Sequence, residues 1–220
     1  MIDLNADIGE GGEQDEALLQ LVTSCNIACG GHAGSDEIMR YTVELALAAG
    51  VAIGAHPSYE DRENFGRREL FLDHEAVVNL VARQVGKLAH LTSGILHHVK
   101  PHGALYNQAN REPSLAAAVI EGVCKISPSS IIYALPRSAL ADAAHAAGMQ
   151  VMAEGFADRR YRHDGTLVPR TEAGAVISDL SEAVTQALAL IDSGVILTLC
   201  VHGDGPQAVA MLRAIRKALD

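Results

Sequence analysis

The stretch "IDLNADI", residues 2–8, alternates Ile2, Leu4, Ala6 and Ile8 with Asp3, Asn5 and Asp7. Such a period of two marks a β-strand. One face of this strand carries two carboxylates and an amide, which cannot be buried without partners. An open parallel sheet covered on both sides asks for near-continuous apolar strands. Polar groups pointing into the mouth of a closed barrel explain the alternation better. Working outward, strands are expected at Ile2–Asn5, Cys25–Ala28, Ala52–Ala55, His97–Lys100, Ile131–Ala134, Val151–Ala153 and Ile196–Val201. Helical patterns separate most of them: "DEIMRYTVELALAAG" closed by Gly50, "DHEAVVNLVARQVGKLAHL" capped by Asp73, "SLAAAVIEGVCKI", "SALADAAHAAG", "SEAVTQALALIDSG" and "PQAVAMLRAIRKAL". A strand–helix rhythm repeated without a break predicts parallel strands joined by right-handed crossovers. The expected architecture is a single α/β domain over residues 1–220, a distorted (β/α)7-type TIM-like barrel.

The 220 residues are 49% hydrophobic and 20% charged, the balance of a folded globular chain. Aromatics make up 4% and Trp is absent, so Ala, Val, Leu and Ile must build the core. A formal charge of −10 repels phosphate backbones and anionic headgroups, which argues against nucleic acid and membrane partners. No basic leader with an apolar run behind it opens the chain, and "GVILTLCV" (194–201) is long enough only for a strand. The cysteines Cys25, Cys29, Cys124 and Cys200 lack zinc-knuckle pairing and read as reduced thiols of a cytoplasmic protein.

The reactive side chains follow the strands. "ADIGEGGE", "CGGHAGS", "HPSYEDRENFGRRE", "PHGALYNQ", "EGFADRRYRHDGTLVPR" and "HGDGP" each sit past a strand end. In parallel α/β folds such loops converge on one face. Asp7 and Glu10 read as a carboxylate pair, or as caps for a first helix. His32 and His56 are candidate ligands or structural loop residues; with Asp7 they are the candidate metal ligands. Lys100, at the end of an inward-facing strand before Pro101, needs an anionic partner or a lowered pKa. His98 and His102 are spaced like a helical metal pair, but Pro101 argues against a helix there. Cys200 and His202 should share a face of the last strand, with Cys200 read as packing. "GEGGE" lacks the lysine of a phosphate loop, and no G-x-S-x-G elbow is present. The chemistry on offer is carboxylate, imidazole and ammonium, suited to acid–base or metal-assisted hydrolysis of a small polar substrate.

The motifs "DLNADIGEG", "NIACGGHAG", "GVAIGAHPSYED…FGRRE", "HVKPHGALYN", "EGFADRRYRHDGTLVPR" and "CVHGD", in this order from Ile2 to about Gly205, resemble the LamB/YcsF family, described as the A component of 5-oxoprolinase. The resemblance implies a barrel of the glycoside hydrolase/deacetylase type. It also implies a part in the ATP-dependent opening of 5-oxoproline to L-glutamate, with ATP as co-substrate of a complex with separate B and C subunits. A divalent metal and a homo-oligomer are compatible with it. On this reading Asp7, Glu10, Lys100, His102 and Asp158 are the catalytic candidates. Asn5, His32, His56, Arg67, Tyr106, Arg159, Arg170, His202 and Asp204 are the substrate-binding candidates. Lys100 or Arg159 would hold the substrate carboxylate, and Asp7 or Glu10 would activate water. A histidine would stabilise the oxyanion or protonate the ring nitrogen. Two other readings stand beside it: a stand-alone metal-dependent deacetylase-like hydrolase, and a non-catalytic binding or scaffold protein.

Overall fold

The computed structural model describes residues 2–219. Seven strands, β1 (Asp3–Ile8), β2 (Ser24–Ala28), β3 (Ala52–His56), β4 (His98–Val99), β5 (Ile131–Ala134), β6 (Val151–Phe156) and β7 (Thr198–Cys200), form a closed barrel in chain order. Every neighbouring pair is parallel, and β7 returns to β1 through Leu4 opposite Leu199. The α/β barrel expected from the alternation of residues 2–8 is therefore the fold.

β2 and β3 each gain one residue, Ser24 and His56, and two strands run three residues further than their apolar residues suggest. β1 continues to Ile8 rather than stopping at Asn5, and β6 reaches Phe156 rather than Ala153. In both the extension carries a carboxylate on the ladder: Asp7 pairs with Asn26, and Glu154 with Thr198. β4 and β7 are shorter than expected, two and three residues.

Among the described residues eight α-helices surround the barrel: α1 (Asp15–Leu19), α2 (Asp36–Ala49), α3 (His74–Leu91), α4 (Gly103–Arg111), α5 (Pro113–Cys124), α6 (Ala139–Ala146), α7 (Leu180–Asp192) and α8 (Ala208–Leu219). Ser35 and Asp73 cap α2 and α3 by accepting the N–H of Ile38 and Ala76, and Gly50 ends α2 at φ 68°. The apolar stripe Val77, Val81, Val85 and Leu88 of α3 is buried. Gly122 lets α5 approach it, since a Cβ there would lie 2.8 Å from Val78 O. α4 occupies "GALYNQ", which reads as loop because Pro101 and Gly103 look like breakers. Gly103 instead opens the helix at φ 55°, where a Cβ would meet Gly66 O at 2.6 Å.

Strand residues facing outward (Leu4, Ala6, Ile8, Cys25, Ile27, Ala55, Val99, Ile132, Leu199) join the helices in one apolar core. Those facing inward are mostly polar and almost fully buried: Asn5, Asp7, Ser24, Asn26, His98, Lys100, Glu154 and Thr198. Gly54 makes room for this filling, because a Cβ on it would meet His98 Nε2 at 2.2 Å. The segment after β6, residues 157–179, folds over one side of the mouth as an irregular ribbon held by the Arg159–Val176 and Tyr161–Leu167 bridges. Tyr161 and Leu167 pack on Tyr106, Leu135, Phe156 and Cys200.

Candidate active site

The barrel interior is a stack of hydrogen-bonded layers. At the bottom, Asp3 Oδ2 accepts from Thr198 Oγ1 at 2.6 Å, Ser24 Oγ at 2.8 Å and the Tyr133 hydroxyl at 3.1 Å. Above it, Asn5 donates through Nδ2 to Thr198 Oγ1 (2.7 Å) and Glu154 Oε1 (3.1 Å). Asn26 donates to Asn5 Oδ1 and Asp7 Oδ1, both at 2.8 Å, so its own Oδ1 must accept. It accepts from His98 Nε2 at 2.6 Å, which fixes His98 as the Nε2–H tautomer. Burial, with His97 and Lys100 close by, holds the His98 imidazole well below its ordinary pKa, hence neutral.

Lys100 rises through the centre of this network. Its Nζ lies 2.9 Å from Glu154 Oε1, 3.0 Å from Asp7 Oδ1, 3.1 Å from Cys200 Sγ and 3.3 Å from Asn5 Oδ1. Burial favours the neutral amine, but the carboxylates of Asp7 and Glu154 beside it outweigh this, and the ammonium is held well above its ordinary pKa. Burial likewise raises Asp7, yet His56 and Lys100 prevail and keep its carboxyl well below the usual range. One oxygen of Asp7 is thus engaged by Asn26 and Lys100. The other, Oδ2, faces upward, 3.4 Å from His56 Nε2.

The mouth lies above. His32 Nε2 is 2.9 Å from Glu10 Oε1, and His102 Nδ1 is 3.5 Å from the same oxygen. His32 and His102 stack with centroids 3.7 Å apart, and Phe65 meets both edge-on. Burial, then the neighbouring Asp7 charge, raises Glu10 well above a normal glutamate. Burial, then His56, pushes His32 down to about 2. Across the mouth, His202 Nδ1 sits 2.9 Å from Asp158 Oδ2, and the ring stacks on Phe156. Burial works against the Asp158 carboxylate, but His202 beside it keeps the group below its usual range. On the rim Asp204 bridges Arg67 and Arg170, joining three loops. Arg159 is buried, with Nη2 donating to Val168 O at 2.6 Å and Nε without a partner. Burial, reinforced by Arg170, lowers it to about 10.

The structure gathers every sequence-derived candidate at this end or in the layers beneath it. Some are placed otherwise than expected. Asp7 and Glu10 do not cap α1; Asp15 takes the Gly9 N–H there instead. Lys100 is committed to Asp7 and Glu154 and does not reach the mouth. Tyr106 is on the buried side of α4, its phenol pushed up by burial and by Glu154. Asn5 lies one layer below the mouth. Of the network members with no counterpart among the sequence candidates, two touch Asp7 or Lys100 directly. Glu154 stands one residue past the apolar run expected for β6. Asn26 stands in "CNIA", where its inward phase between Cys25 and Ile27 is the available signal. Cys200, read as packing, touches the Lys100 ammonium. Among the described residues, two groups of side chains could hold a metal ion: Glu10, His32, His56 and His102, whose donor atoms lie within 4.8 Å of one another, and Asp7, Cys200 and His202. Behind the glycines of residues 9–12, α1 presents Asp15 and Glu16 in its first turn, an unfavourable seat for phosphate.

Solved structures of the same shape include a lactam utilization protein from Thermus thermophilus, 39% identical, with a TM-score of 0.91 over 99% of this chain and 95% of that one. A β-1,4-mannanase (12% identity, TM-score 0.57, 98% and 97% covered) shares the barrel alone. So does a truncated 3-deoxy-D-arabino-heptulosonate 7-phosphate synthase from Thermotoga maritima (11%, 0.52, 99% and 85%). The LamB/YcsF family model matches residues 2–220, and with the layered polar interior and its mouth in place, the chain belongs to the LamB/YcsF family.

Proposed function

We propose that this chain is the A component of an ATP-hydrolysing 5-oxoprolinase of the cytoplasm, opening the cyclic amide of 5-oxo-L-proline to L-glutamate with separate B and C subunits. The observation that supports this reading is the mouth itself: an ionised carboxylate, an aspartate-held imidazole and three guanidinium groups around one opening, in a chain 39% identical to a lactam utilization protein. The substrate is a small anion with a planar amide. Arg159, with its unpartnered Nε, and the Arg67–Arg170 pair supply the positive side for its carboxylate. Lys100 keeps Asp7 ionised from below. Asp7 Oδ2 takes a proton from water as the water oxygen bonds to the ring carbonyl carbon. As the carbon–nitrogen bond breaks, His202 gives a proton to the departing nitrogen, and Asp158 stabilises the imidazolium when it recovers one. In this reading the partner proteins bind ATP and phosphorylate the lactam oxygen, water adds at the same carbon in the present chain, and breaking the carbon–nitrogen bond leaves an acyl phosphate whose hydrolysis releases inorganic phosphate and L-glutamate.

Glutamate release from 5-oxoproline and ATP, measured with the reconstituted three-protein mixture and with each chain omitted, tests it. Omission of this chain should abolish release. Full activity of B and C alone contradicts the assignment. Hydrolysis of an acetylated sugar by this chain alone, without ATP, would favour the deacetylase-like reading.

A further inference from the structure

We propose that Glu10, His56 and His102 form a binding site for one first-row divalent cation at the mouth of the barrel, with His32 Nε2 hydrogen-bonded to Glu10 beside it. The case rests on where the imidazole protons must be. His56 Nδ1 lies 2.7 Å from the backbone oxygen of Lys100, and His102 Nε2 lies 3.0 Å from that of Phe65. A carbonyl only accepts, so both of these nitrogens carry protons. In the neutral rings the remaining nitrogens, His56 Nε2 and His102 Nδ1, then carry lone pairs, and they face each other at 2.9 Å. Two lone pairs at that distance repel unless a positive centre lies between or beside them.

The surroundings fit a cation. Glu10 Oε1 lies 2.9 Å from His32 Nε2, 3.5 Å from His102 Nδ1 and 4.0 Å from His56 Nε2. Ligands held about 2.1 Å from a common centre are about 3.0 Å apart in an octahedral shell and about 3.4 Å in a tetrahedral one. The His56, His102 and Glu10 donor atoms, 2.9, 3.5 and 4.0 Å from one another, lie within the range of such a shell, whose opposite octahedral ligands are about 4.2 Å apart. The carbonyl partners of His56 and His102 are the outer hydrogen bonds that orient metal-binding imidazoles. The rings are also held rigidly: Phe65 flanks His32 and His102, and a Cβ on Gly66 would meet His32 Cβ at 2.8 Å. Two imidazoles and a carboxylate suit zinc and its first-row neighbours rather than calcium or magnesium. When bound, the cation supplies Lewis-acid polarisation of a carbonyl, next to the free oxygen of Asp7. The competing arrangement is a protonated His56 whose Nε2–H lies between His102 Nδ1 and Asp7 Oδ2.

The site stands on ligand geometry and does not depend on which amide is opened. The test uses the full chain, stripped with a chelator, titrated calorimetrically with Zn2+ and separately with Co2+ by visible absorption. One Zn2+ per chain is expected, with cobalt bands typical of nitrogen–oxygen ligation. His102→Ala and Glu10→Gln should each weaken Zn2+ binding by at least on the order of a hundredfold and remove the cobalt bands. The exposed His145→Ala should change neither. Circular dichroism of each variant separates ligand loss from unfolding. A folded wild-type chain that shows no saturable Zn2+ binding, or variants that bind as wild type does, overturns the site. A strongly deshielded His56 Nε2 proton in the NMR spectrum of the non-binding chain would then identify the alternative. Glutamate release is read in a separate assay, so this proposal and the lactam reading fail independently.

Discussion

The lower and upper halves of the barrel interior are built from the same residue types to opposite effect. Below, Asp3, Asn5, Asn26, His98 and Thr198 form a chain in which each donor meets an acceptor, and Lys100 is matched by Asp7 and Glu154, with Glu154 Oε2 the exception that has no partner. Above, two imidazole nitrogens confront each other, His32 Nδ1 is buried without a partner, and so is Arg159 Nε. A satisfied buried network rigidifies a fold, whereas an unsatisfied group carries a cost that only a ligand removes. The contrast teaches a division of labour: the floor fixes Asp7 and keeps it charged, and the mouth is shaped for something bound.

The division can be broken most severely at Lys100. Lys100→Met leaves Asp7 and Glu154 buried without their counter-charge and should cost about 3–5 kcal/mol in urea unfolding. A loss below about 1 kcal/mol would mean that the floor is not the structural half.

The mouth should respond differently. Arg170→Ala removes half of the rim bridge to Asp204 and one charge facing an anionic substrate. Raised KM for 5-oxoproline by about tenfold, worth ~1.4 kcal/mol of binding, with unfolding free energy nearly unchanged, is the expected split. An equal fall in stability and affinity would erase the distinction.

His98 gives a finer probe of the floor through pH. Its folded pKa lies well below 6.5, chiefly through burial. The unfolded chain therefore takes up a proton below about pH 6.5 that the folded chain refuses, and stability falls as pH drops from there. His98→Gln should flatten that slope by up to about 1.4 kcal/mol per pH unit, read from unfolding between about pH 6.5 and 5. An unchanged slope would place the ring in a wetter setting than a buried floor.

The smallest effect is expected at the base of the stack. Tyr133→Phe removes one of several hydrogen bonds to Asp3 and should cost about 1 kcal/mol, with kcat unaltered.

How much of this is legible in the sequence follows from the same contrast. The alternation of Asp3, Asn5 and Asp7 announces a barrel because inward polar residues need a closed interior, and His32, His56 and His102 are visible beside glycine or proline past strand ends. Local pattern cannot reveal Glu154, since a carboxylate after an apolar run looks like the start of a loop until its partners Asn5 and Lys100, distant in sequence, are in place. Lys100 reads correctly as needing an anion. Which anion, and hence that it points at the floor rather than at a substrate, depends on contacts across the barrel. The proton positions of His56 and His102 depend on the carbonyls of Lys100 and Phe65, which no side-chain motif encodes.

The most direct test of the central claim is glutamate release by the three-protein mixture carrying Asp7→Asn. The amide can keep the contacts of Asp7 Oδ1 with Asn26 and Lys100 while losing the charge and basicity of the oxygen that faces the mouth. With the chain still folded by circular dichroism, kcat should fall by about a hundredfold to ten-thousandfold. A kcat within about threefold of wild type, far short of a general base's contribution, would contradict the account.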